Sequence, residues 1–167
     1  MGTPARLFVN ASELLLIRAL LECWFPNLEN EVYCAESESD EDYNCIAWAA
    51  GDTSTFWWPS ADPLDAFWPI AWREESKECF IEAFGHIRQN DNYEVCDPPD
   101  FDFEPGFEKV ALYLDAQDKP QHMARQLASG IWTSKLGKSW DILHQTEKGV
   151  EGARYGSAVI VMRRPIQ

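Results

Sequence analysis

Near Lys109 the chain changes its apolar period, and that change limits the folds open to it. KVALYLD, HMARQL, GIWTSK and GSAVIVMRR are short segments rich in β-branched or aromatic residues. Turn signals such as AQDKP and ASG separate them, so each is expected to form a strand. Upstream the spacing is helical instead. ASELLLIRALLECWFP predicts a helix with Ser12 as N-cap and Pro26 as its stop, apolar nearly all round and so expected to be well buried. CIAWAAG offers small helix formers that let a helix pack closely, with Gly51 closing it. REESKECFIEAFGHI reads as an amphipathic helix, and SWDILHQ as a short helix between the last two strands. Helices followed by a meander of strands predict an α+β fold with a mostly antiparallel sheet. At 167 residues the chain is expected to be one domain with a sizeable core.

Two stretches resist regular structure. NLENEVYCAESESDEDYN carries seven acids between Glu29 and Asp42 and reads as a loop. TFWWPSADPLDAFWPIAW mixes three prolines with aromatics, which predicts an irregular, packed flap. Residues 1–118 hold 25 acids and 6 bases, whereas residues 119–167 hold 3 acids and 8 bases. A formal net charge of −14 argues against a nucleic-acid partner. The apolar run Leu14 to Ile17, like every other in the chain, is far short of the roughly 20 residues of a membrane span. The N-terminus has no small-residue cleavage site and does not read as a signal peptide, so a cytoplasmic setting is expected unless a partner system exports the protein. Five cysteines without a C-x-x-C pair fit neither a disulfide framework nor a zinc site, and no phosphate loop or H-E-x-x-H occurs. No cofactor or metal is expected.

Chemistry concentrates around DYNCIAWAAGD. A thiol attacks a carbonyl as thiolate, so a nucleophilic cysteine needs a helix N-terminus and an imidazole to lower its pKa. Of the five, Cys45 alone follows a turn-like polar residue, Asn44, at a helix start; Cys23 and Cys79 lie within helices and read as core. His122 opens a strand directly after a turn, where its ring can be held against a helix end. Twelve residues on, Ser134 suits the hairpin partner that orients the ring, with Lys135 beside it and Asp141 as a further candidate. His86 and His144 read as structural. Candidate substrate contacts are Asn44, Trp48, Trp57, Trp58 and Lys135, although tryptophans in such stretches more often fill a core.

A helix-capping cysteine in NCIAWA, a histidine heading one strand and a polar residue a dozen positions later resemble the papain-like amidases and peptidases of the NlpC class. NCIAWAAGDTSTFWWP, EPGFEKVALY, HMARQL, GIWTSKLG and the late YG also resemble an uncharacterised bacterial family of that superfamily, from about Asn44 to Pro165. The resemblance implies a papain-like fold, with Cys45 as nucleophile, His122 as general base and Ser134 as third member. Ser134 departs from the His, Asn, Asp or Gln usual at that place. The implied reaction is acyl transfer on a peptide or other amide substrate, without nucleic acid or membrane. The rivals are a catalytically silent papain-like binding module and a small toxin or effector that modifies a protein by the same chemistry.

Overall fold

A computed structural model describes residues 10–87 and 92–166 of the chain. Of the N-terminal stretch 1–25 on which the signal-peptide reading rests, residues 1–9 lie outside the described residues.

Helix α1, Ala11–Trp24, starts from Asn10 rather than from the expected Ser12. The Asn10 side chain accepts from the amides of Ser12 and Glu13, and Glu13 reaches back to the Asn10 amide. Such a reciprocal box satisfies orphan N–H groups that Ser12 alone would leave open. Nor is α1 buried all round: Ile17 and Leu21 face the protein, while Leu14, Leu15 and Leu16 are exposed. Helix α2, Cys45–Ala50, is buried at every position, because its alanines let the backbone approach the sheet. It ends as expected at Gly51, whose φ of 83° is the left-handed conformation a C-cap needs. Helix α3 spans Lys77–Phe84, capped by Ser76, with Phe80 and Phe84 inward.

Among the described residues seven strands form one sheet. They are β1 (Tyr33–Ala35), β2 (Glu94–Val95), β3 (Phe107–Leu114), β4 (Pro120–Gln126), β5 (Trp132–Lys135), β6 (Asp141–His144) and β7 (Ser157–Pro165). Their order is β1-β6-β5-β4-β3-β7-β2, and every ladder is antiparallel. The α+β class and the antiparallel sheet are thus as expected.

Two local readings change. SWDILHQ supplies strand β6 rather than a helix, because Ile142 and His144 alternate with Leu143 to fit the pleat beside β5. The acidic stretch is not all loop: Pro26–Asn30 forms a 3-10 turn, and β1 pairs with β6 at the sheet edge. The flap between α2 and α3 is irregular as expected, packed through Trp58 and Trp68 against Phe80.

Strand β3, inside the sheet between β4 and β7, is covered on both faces, and its side chains divide by parity. Val110, Leu112 and Leu114 join Met123 and Met162 beneath α2, α3 and the flap. Ala111 and Tyr113 join Ala124, Trp132 and Ile142 beneath α1 and the 3-10 turn. A three-layer build results, helices on either side of one sheet. Among the described residues no helix is long and apolar enough to cross a membrane.

Candidate active site

Asn44 fixes the start of α2. Its side-chain oxygen accepts from the Ala47 amide at 3.1 Å, and its amide nitrogen donates to the Trp57 carbonyl at 2.7 Å. One residue therefore caps the helix and ties it to the flap. Cys45 follows in the first turn, 8% exposed, at the wall of a cleft of about 440 Å³. Phe56, Trp58, Gln121, Lys138 and Tyr155 also line that cleft. A second hollow, about 420 Å³ between α1 and β1, lacks Cys45 and any buried base.

The sheet delivers the histidine. Tyr113 pairs with His122 but Leu114 with Pro120, so Gln121 bulges out of β4 just before His122. The β4–β5 ladder pairs only Arg125 with Thr133 and Gln126 with Trp132, so the strands part toward His122 and Ser134. There His122 Nε2 lies 2.9 Å from Ser134 Oγ. Tyr155 stacks on the imidazole at 4.1 Å, and Tyr113 meets it edge-on. His122 is wholly buried, and its Nδ1 has no hydrogen-bond partner.

No hydrogen bond joins Cys45 to His122: pairing with Tyr113 sets the imidazole on the sheet face of Ala111 and Ala124, whereas Cys45 packs with Met123 on the α2 face, and the two groups share Tyr155 as a neighbour. Tyr155 stacks on His122 and shares the cleft with Cys45. The amide of Met123, next to His122, is among the groups that favour the Cys45 thiolate, as are the amides of Ile46 and Cys45 and the Lys135 charge. Desolvation outweighs them and pushes the thiol up to about 11. The lowered pKa expected of a helix start is therefore absent, because a six-residue helix supplies too small a field to offset burial. Burial likewise holds His122 well below its ordinary range. Resting sulfur and imidazole are both neutral.

Trp58 and Asn44 line the cleft, although the Asn44 amide is committed to the helix cap and the flap. Trp48 donates its indole N–H to Thr133, and Trp57 donates to Asp52; neither lines the cleft. Lys135 is fully buried, donates to the Ser139 carbonyl and lies over the Tyr43 ring. Asp141 is buried apart from His122, accepting from Ser37 and Tyr43. His86 is exposed in the turn that follows α3. His144, read as structural, lies 2.9 Å from Ser134 Oγ through Nε2, while its Nδ1 meets the Thr146 carbonyl at 2.7 Å. The alternation in DILH carried the signal for it: a strand there puts His144 on the face of Ser134.

Residues 34–163 match the model of a domain of unknown function, DUF7689. The chain belongs to the DUF7689 family. The match takes in all seven strands except the ends of β1 and β7, together with α2, α3, Cys45, His122, Ser134 and His144, whereas α1 precedes it. Comparison with curated proteins and with solved structures finds no match. The site of this DUF7689 domain is thus described by its own geometry.

Proposed function

We propose that the chain is a cysteine-dependent amide hydrolase of papain-like build, acting through Cys45, His122 and Ser134. The observation that carries this reading is the state of His122. It is wholly buried, tied through Nε2 to Ser134, unpartnered at Nδ1, and adjacent in sequence to an amide that favours the Cys45 thiolate. A free imidazole nitrogen is the equipment of a general base, and the reading requires it to reach the Cys45 sulfur past Tyr155, which stacks on the ring and lines the cleft with Cys45.

Because both partners rest neutral, the proton leaves Sγ for His122 Nδ1 as sulfur attacks the substrate carbonyl. Such pairs commonly close to hydrogen-bond length only with substrate in place. The tetrahedral adduct collapses to a thioester while His122 returns that proton to the leaving amine. Water, deprotonated by the same nitrogen, then releases the acid and restores the thiol. The cleft favours an apolar or aromatic group beside the scissile bond, since Phe56, Trp58 and Tyr155 form its walls.

The test is an acyl trap. Incubated with p-nitrophenyl acetate, the protein is expected to carry an acetyl thioester on Cys45, read by intact mass and peptide mapping. Cys45→Ala should abolish the adduct and His122→Ala should slow it by about 100-fold or more, the usual contribution of a general base. Acylation at equal rate in His122→Ala would contradict the reading.

One observation favours a second reading, a silent papain-like module that keeps the cleft for binding. Burial raises the Cys45 thiol rather than lowering it. Absence of any Cys45 adduct from a folded protein would select that alternative.

A further inference from the structure

We infer that His144 is a positioning residue: acting through Ser134, it fixes which nitrogen of His122 carries the proton. The inference rests on the reading of His122 as the base for Cys45. It begins at the far end of a hydrogen-bond line, where no choice exists. The Thr146 carbonyl can only accept, so His144 Nδ1, 2.7 Å away, must carry a hydrogen. His144 is buried, and burial holds its imidazole neutral down to about pH 4, which leaves Nε2 as a bare lone pair.

The Ser134 hydroxyl, 2.9 Å from that lone pair, therefore donates to it. A hydroxyl has one proton, so toward His122 the same oxygen can only accept. His122 Nε2, 2.9 Å on the other side, must be the N–H that meets it. A neutral ring with hydrogen on Nε2 has none on Nδ1. The unpartnered buried atom of His122 is thus a lone pair, the form a base requires. Reversing the tautomer of His144 would point its lone pair at a carbonyl oxygen.

The line is anchored from outside the sheet. Thr146 donates both its amide N–H, at 3.0 Å, and its hydroxyl to the Glu31 carboxylate. Glu31 caps the 3-10 turn that follows α1 and precedes the matched family domain, so a residue outside that domain steadies the carbonyl that sets the tautomer. When Sγ–H breaks and Nδ1–H forms, no other proton needs to move. Every donor in the line already points away from His122, toward the carbonyl and the carboxylate, which stabilises the new imidazolium.

The experiment is a long-range proton–nitrogen NMR spectrum of the ¹⁵N-histidine-labelled full chain at neutral pH, the three rings assigned by single replacement. The expected result is a pyridine-type Nδ1 with pyrrole-type Nε2 on His122, and the opposite pattern on His144. A pyrrole-type Nδ1 on His122 overturns the proposal, and the wild-type spectrum alone is enough to show it. In His144→Phe, which removes the acceptor, the His122 tautomer should become mixed and Cys45 acylation should fall by about 100-fold. His144→Gln, which restores an acceptor for Ser134, should recover part of both. An unchanged His122 tautomer in folded His144→Phe also overturns it. The spectrum needs no substrate. Expected tautomers without acylation would sink the hydrolase and spare the relay; acylation with the opposite tautomer would sink the relay alone.

Discussion

Tyr155 covers the His122 ring because the chain turns sharply just after it. Gly156 has φ of +73°, and a Cβ there would stand 1.9 Å from the Leu114 carbonyl oxygen. No other residue can let the turn lie against β3 so closely. Gly156→Ala is therefore expected to lower stability by about 3 kcal/mol or more, read by urea unfolding, and to displace Tyr155 from the imidazole. A loss below about 1 kcal/mol would show that the turn relaxes freely. The late YG was thus visible as a motif, but its contact with Leu114 joins residues far apart in sequence and no local pattern encodes it. Cys45, His122 and Ser134 could be picked out because a helix start, a strand start and a hairpin spacing are local signals. His144 escaped because SWDILHQ fits a short helix almost as well as a strand, and only pairing with β5 decides between them. The thiol's pKa escaped for another reason: helix position is written in the chain, whereas the depth of burial around it is not.

Helix α1 shows how far periodicity alone can mislead. Its apolar residues run nearly all round, yet Leu21 is 1% exposed and Leu15 is 69% exposed. The helix lies on one sheet face and has only one face to bury. Leu21→Ala should cost about 2–5 kcal/mol, whereas Leu15→Ser should stay within about 0.5 kcal/mol. Equal losses from thermal or urea unfolding would mean that α1 is covered all round. Helix α2 is the opposite case, short and buried at every position, so its place depends on Asn44 and the alanines rather than on an amphipathic stripe. The flap's prolines and aromatics announced irregular packed structure, but not its partner α3, since long-range ring contacts leave no periodic trace.

Acid should loosen the molecule through its buried histidines. His144 titrates at about 4 in the fold against an ordinary 6.5, so between those values the unfolded chain holds more proton than the folded one. Stability is then full above pH 6.5 and falls as pH drops toward 4, by about 3 kcal/mol from His144 alone. The hydrogen bond to the Thr146 carbonyl and then the Glu31 charge oppose that shift, and His122, itself held low by burial and by His144, adds to the loss in the same direction. Urea midpoints taken across this window should show the decline, shallower in His144→Gln; an equal decline would assign it to other groups.

The whole account depends on His122 serving the Cys45 sulfur. The rate of Cys45 alkylation by iodoacetamide, followed by peptide mass from pH 5 to pH 11 in wild type and His122→Gln, tests that dependence. Wild type is predicted to show a plateau of reactivity around neutral pH, supplied by the imidazole, beneath the rise of the free thiolate near 11. His122→Gln should keep the rise and lose the plateau. Superimposable curves, each a single late rise, would contradict the account.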